Sequence, residues 1–348
     1  MEQTLREQGI STRPLLTSLR ENFGFNPLTE GILAGKTITH YDLTPEMTVF
    51  FEALRSNASS DRLSPIEGVI TSEDFQKMFH ISKEKTSSDP RTLNYSIWKC
   101  IATSNSISSF AAILLSLPFM YRFVNTHWTH MTDFMLEKKK GTRQIHQLQI
   151  IGKVAAKFNT CLKFLIGHKA MHNFEDADPC DEQHGFCPMR LSIDAAFLKL
   201  LTFESARMQR ATICTVQHDM SAHFDRMYPA MTSIYASRYK VDKNIMLSIG
   251  KTICHLQRNV ETLLGVSDKS YRQLENVPEI GGMVQGKADV PQLSTQQSDA
   301  MLKAHKKLTM GLYLPNPPDT RAILHHSIGF ADNTDNHTVS TPIQVTRR

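Results

Sequence analysis

The sequence predicts an α+β fold with many helices and few strands, on three observations. Apolar residues recur at helical spacing over long stretches on both sides of the middle of the chain. One β-branched run, ATICTVQHD from Ala211 to Asp219, has the length of a strand. Near the C-terminal end, AILHHSIGF and TDNHTVS flank Asp332 and Asn333 as the arms of a hairpin flank its turn.

The bulk numbers fit that class. In 348 residues, 41% are apolar and 21% charged, enough for one sizeable core or two modest ones, which excludes a disordered or fibrous chain. Six cysteines without framework spacing point to a reducing compartment, so nucleus or cytoplasm. The opening MEQTLREQG lacks the basic and apolar regions of a secretory signal. The longest apolar stretch, Ile107 to Phe123, is broken by Ser108, Ser109, Ser116 and Pro118 and is expected to be a buried helix, leaving no membrane span.

Taken in order, residues 1–65 carry Pro14, Pro27, Pro45 and the polar SNASSDR stretch, which marks an N-terminal extension ending in a linker. From 66 to 195 helical spacing dominates. SEDFQKMF opens at Ser72 followed by acids, as an N-cap would, and VAAKFNTCLKFLIGH is amphipathic. In 196–340, helices are expected through DAAFLKLLTFESARM (which begins at Asp194), MYPAMTSIYASRYK and KNIMLSIGKTICHLQRNVETLLG, with the strand and hairpin between and after them. Residues 341–348 are a tail. The net charge of +5 is mild but uneven: eight Lys or Arg stand between Leu136 and His172 against the single acid Glu137. Such a segment suits a phosphate backbone, though taken alone a solvated helix face is the simpler reading.

Asp219 closes its strand, and Phe224 and Asp225 follow as D-x-x-x-x-F-D at a strand-to-helix junction. A carboxylate ending an apolar strand is costly unless it is paired or holds a metal. Asp332 occupies the hairpin tip, so pairing of the hairpin beside the Asp219 strand would bring the two carboxylates together. Two such groups can hold two Mg²⁺, or Mn²⁺, roughly 3.5–4 Å apart, and stabilise both the attacking hydroxyl and the leaving pyrophosphate of a nucleotidyl transfer. The simpler alternative makes Asp219 a helix N-cap and Asp332 a turn residue.

Four segments in order, between about Thr71 and His337, give the chain a resemblance to the reverse transcriptases of retroelements, most nearly the non-LTR type. QHGFCPMRLSIDA resembles the family's Q-x-G-F-R-x-x-R-S-x-x-D-A segment, HDMSAHFDRM its first palm motif, VQGKADVP its Q-G-x-x-x-x-P motif, and GFADN its F-x-D-D hairpin. The resemblance implies a right-hand polymerase fold, with helix-rich fingers at 66–195 and a palm with a small antiparallel sheet at 196–340. It implies RNA-directed DNA synthesis on an RNA template and DNA primer from deoxynucleoside triphosphates. Asp219 and Asp332 would then be catalytic metal ligands, joined by Asn333. Phe224 would exclude a ribose 2′-hydroxyl, and Gln285 and Gly286 would contact the incoming nucleotide. LEKKKGTRQIHQLQII is similar to the fingers region that grips the triphosphate, with Lys138 and Arg143 as its candidates.

Three departures from the family pattern bear on activity: Asn333 replaces the second hairpin Asp, Gln149 stands where an Arg is usual, and Cys187 does likewise. The chain ends at Arg348, eleven residues after His337, so the thumb is expected to be missing and the protein to be a degenerate or truncated copy. A non-catalytic RNA- or DNA-binding remnant is the alternative. A zinc site from Cys180, His184 and Cys187 with His168 and His172 is a further one, at a spacing unusual for zinc. Of His325 and His326, adjacent in a strand, one is expected to be packed and one exposed.

Overall fold

Short helices punctuated by proline open the chain, here in a computed structural model that describes residues 13–36, 41, 43–55, 62–81, 95–137, 146–149, 161–177, 179–219, 223, 227–262, 264–272, 289–309, 311–314, 323–330 and 333–340. They are α1 (Arg13–Arg20), α2 (Pro27–Leu33) and α3 (Pro45–Ala53). Pro27 and Pro45 each begin a helix, where a missing N–H costs nothing. Asn26 accepts from Thr29 N at 3.0 Å and donates to the carbonyls of Ser18, Leu19 and Glu21, which ties the end of α1 to the start of α2. Leu15, Leu19, Ile32, Phe51 and Leu54 then pack on Ile234, Tyr235 and Ala300. The stretch read as an extension thus lies against helices from the far end of the chain.

The main core starts at α4 (Ser72–His80), which opens with a reciprocal cap between Thr71 and Asp74. Its Phe75 and Phe79 meet Trp98 of α5 (Tyr95–Ala102) and Phe119 of α6 (Asn105–Tyr121). α6 was expected to be a buried helix, and only one face of it is buried. It buries Ser108, Ala111, Ala112, Leu115 and Phe119 and leaves Ile107, Phe110, Ile113, Leu114 and Tyr121 exposed. Small residues let neighbouring helices approach, and Ser116 is needed inside because its Oγ accepts from Ile70 N at 2.8 Å.

The half expected to be helical also holds two strands, β1 (His130–Glu137) and β2 (His146–Gln149), paired antiparallel. A helix in π winding over Lys163–Ala170 continues as α7 (Met171–Asp176), followed by α8 (Ser192–Met208), β3 (Thr212–Asp219), α9 (Pro229–Arg238) and α10 (Lys243–Cys254). The single long helix expected from Lys243 to Gly265 stops at Cys254. HLQRNVETLLG instead yields β4 (Gln257–Thr262) and β5 (Gly265–Val266), because Gly265 at φ +127° makes the turn and β1 offers a parallel edge to β4. β6 (Tyr271–Arg272) completes that mixed five-stranded sheet.

α11 (Val290–Leu308) precedes β7 (Leu312–Leu314) and β8 (Ile323–His325), which pair with each other. β9 (Ser327–Phe330) and β10 (Asn333–Ser340) form the expected hairpin, and β10 also pairs with β3 in a three-stranded antiparallel sheet, β3-β10-β9. The molecule is therefore α+β, helix-rich with a small antiparallel sheet. His325 and His326 are both buried, contrary to the alternation expected of a continuous strand, because the pairing changes from β7 to β10 at that point.

Candidate functional site

β3 is not a buried strand. Thr212, Cys214 and Val216 are exposed while Ile213 and Thr215 are half-buried, the pattern of a sheet with one face to water. The register gives Asp219 neighbours: all eight residues of β3 pair with β10, ending with Asn333 opposite Asp219. Asn333 is also opposite Phe330 of β9, so Asp219, Asn333 and Phe330 form one row across the end of the sheet. Directly paired residues in such a ladder have Cα atoms about 4.5–5.5 Å apart.

Asn333 is the first residue of β10, a strand residue where the sequence suggested a turn. Asp332 precedes it in the chain and lies outside the described residues, as do Phe224, Gln285, Gly286, Lys138 and Arg143. Gln149 ends β2, opposite Phe134, and segment 138–145 joins β1 to β2.

The first of the four motif segments docks on the hairpin. Gly329 N donates to Glu182 O at 2.8 Å and Gly329 O accepts from His184 N at 2.8 Å, with Gln183 in parallel register with Gly329. The approach is close at glycine, since a Cβ at position 329 would come within 2.9 Å of Leu302 Cδ1 and 3.1 Å of Gln183 Oε1 and would push those side-chain ends aside. Residues 182–185 thus extend the β3-β10-β9 sheet by a short fourth edge.

That edge is fixed by groups the sequence did not single out. Nη1 of Arg190 donates to the carbonyls of Cys180, Asp181 and Gln183 at 2.9, 3.0 and 2.7 Å, closing the loop on itself. Thr295 Oγ1 reaches Gly185 O at 3.0 Å from α11. Asp299, also on α11 and fully buried, accepts from Cys180 N at 2.7 Å and from Tyr239 Oη at 3.2 Å, and pairs with Arg238 and Lys303. Burial and the charge of Asp299 raise the Tyr239 phenol well above its ordinary pKa, so it is a donor at every working pH.

Glu182 is buried too. Burial alone would raise its carboxyl, but the Cys180 thiol, 2.7 Å away, and the ion pair with Lys306 at 3.2 Å outweigh it and hold the pKa low. Beyond Asp219, His223 is buried with Nε2 2.6 Å from Ser294 Oγ on α11. Arg190 carried a signal as part of QHGFCPMR, His223 as part of HDMSAHFDRM and Cys180 in the zinc reading, whereas Tyr239, Ser294, Thr295 and Asp299 come from distant elements and carried none.

The zinc reading finds no support. Cys180 donates to Glu182, burial pushes the Cys187 thiol up to about 11, and among the described residues no three His, Cys, Asp or Glu side chains group to hold a metal. Among the same residues no helix is long and apolar enough to cross a membrane. No protein-family model matches the chain, and no curated protein matches it.

Proposed function

We propose that the chain is a reverse transcriptase-like protein, with β3 and the β9-β10 hairpin as its palm. The observation that carries the reading is the register of Asn333 with Asp219, which sets the D-x-x-x-x-F-D strand and the FADN hairpin at the same end of one sheet. Support comes also from the Gln183 segment, which resembles a third motif of that family and lies hydrogen-bonded to the hairpin at Gly329.

In this reading Asp219, Asp332 and Asn333 would hold Mg²⁺, whose hard-oxygen preference suits two carboxylates and an amide. The bound metal would supply charge stabilisation to the attacking and leaving oxygens of a nucleotidyl transfer. The chain's own part is positioning. β10 holds the row at the sheet end through its ladder to β3, and Arg190, Thr295 and Asp299 keep the flanking edge in place. RNA template, DNA primer and deoxynucleoside triphosphates are the partners that this reading implies, with Phe224, Gln285, Gly286, Lys138 and Arg143 as nucleotide contacts.

Asn333 favours a second reading, a nucleic-acid-binding remnant, because an amide brings no charge to offset metal and phosphate. Primer extension on an RNA template with Mg²⁺ or Mn²⁺ separates the two. The enzymatic reading predicts extension that Asp219→Ala abolishes and Asn333→Asp raises. Inert wild type without rescue by Asn333→Asp, beside salt-dependent RNA binding, selects the remnant, and no binding at low salt removes both.

A further inference from the structure

Helix α6 turns several large apolar side chains to solvent. Ile107, Phe110, Leu114 and Tyr121 are 52, 63, 49 and 68% exposed, and Leu117 between them is half-buried. Their spacing is three, four, three and four residues, the repeat that one helix presents to another along a coiled-coil seam. Ile113 and Met120, both exposed, flank the row on one side.

The electrostatics admit a second copy of the chain as the partner. From Asn105 to Tyr121 the helix has no Asp, Glu, Lys or Arg, so two copies of this face meet without opposing charge, although the whole chain carries +5. α8 shows the contrast: its exposed Phe197, Leu200 and Leu201 share their helix with Lys199, Glu204 and Arg207. We propose that α6 is a self-association surface, on which two copies of the chain pair antiparallel about a two-fold axis at Leu114.

The antiparallel arrangement follows from side-chain size. With Leu114 on the axis, Phe110 lies opposite Leu117 of the second copy and Ile107 opposite its Tyr121, so large faces smaller. A parallel pair would set Phe110 against Phe110 and Tyr121 against Tyr121, which interdigitate poorly. Opposed helix dipoles favour the same choice. Seven side chains with on the order of 90 Å² each left to bury give roughly 600 Å² per copy, at the lower edge of specific interfaces. The pair is therefore a weak dimer, formed at micromolar concentration or above.

Sedimentation of the full chain from about 1 to 100 μM tests it. The mass should rise toward that of a dimer, and Phe110→Glu with Leu114→Glu should stay monomeric with unchanged circular dichroism, since both positions face water. In a Cys100→Ser, Cys214→Ser background, mild oxidation should join Leu114→Cys into a covalent dimer and leave Ile107→Cys unjoined, its two copies being some 21 Å apart. A chain monomeric throughout, a dimer that survives the charged substitutions, or equal cross-linking at both positions would overturn the proposal.

Discussion

α11 and α6 are of similar length, 19 and 17 residues, and they sort their side chains in opposite ways. α11 buries Ser294, Thr295, Gln296 and Asp299, while α6 exposes Ile107, Phe110, Ile113 and Leu114. The difference teaches that the partner, and not the polarity of the side chain alone, decides what is inside. Asp299 is tolerated at zero exposure because Arg238, Lys303, Tyr239 and the Cys180 amide all reach it. α6 presents small residues inward because α4 and α10 pack closely on them.

The strongest way to break that contrast is Asp299→Ala. It strands Arg238, 3% exposed, and should cost roughly 3–5 kcal/mol in chemical denaturation. A loss below 1 kcal/mol would mean that the network is not what holds α11 to the 180–190 loop. Next comes Gly329→Ala, which drives a methyl against Leu302 and Gln183 and should cost about 1–3 kcal/mol. The Gln183 edge should loosen first, and faster hydrogen exchange at the His184 amide would report it.

A smaller effect is expected from pH. His184, His305 and His326 all have lowered pKa values, burial being the first cause in each; the charge of Arg190 adds to it for His184, and that of Lys306 for His326. The unfolded chain therefore takes up protons near pH 6.5 that the folded chain refuses. Stability should be full above that value and fall as pH drops below it toward the folded values. Melting temperatures equal at pH 7.5 and 5.5 would contradict this. The smallest change belongs to Ile113→Ser on the outer face of α6, within about 0.5 kcal/mol for the monomer.

Local chemistry was what the sequence made legible. The start of α4, the β-branched ATICTVQHD run and the C-terminal hairpin all carry their signal within about ten residues, and the structure shows each element, with the cap one residue earlier than expected, at Thr71 rather than Ser72, and with Asn333 in β10 rather than in the turn. The Asp219 register was legible only as a condition, that the hairpin pair beside β3, and it does. What escaped was set by distant partners. QRNVET became a strand because β1 lay parallel to it, and α6 could not be known to face outward without α4 and α10. The clamp of Asp299 on Cys180 joins positions 119 residues apart, and no local pattern announces it.

Mn²⁺ binding followed by electron paramagnetic resonance reads the proposed cation site at Asp219 and the hairpin end. The account predicts weak binding by the wild type, tighter binding by Asn333→Asp because its register partner is Asp219, and none above background for Asp219→Ala. Equal affinity in all three proteins would contradict it.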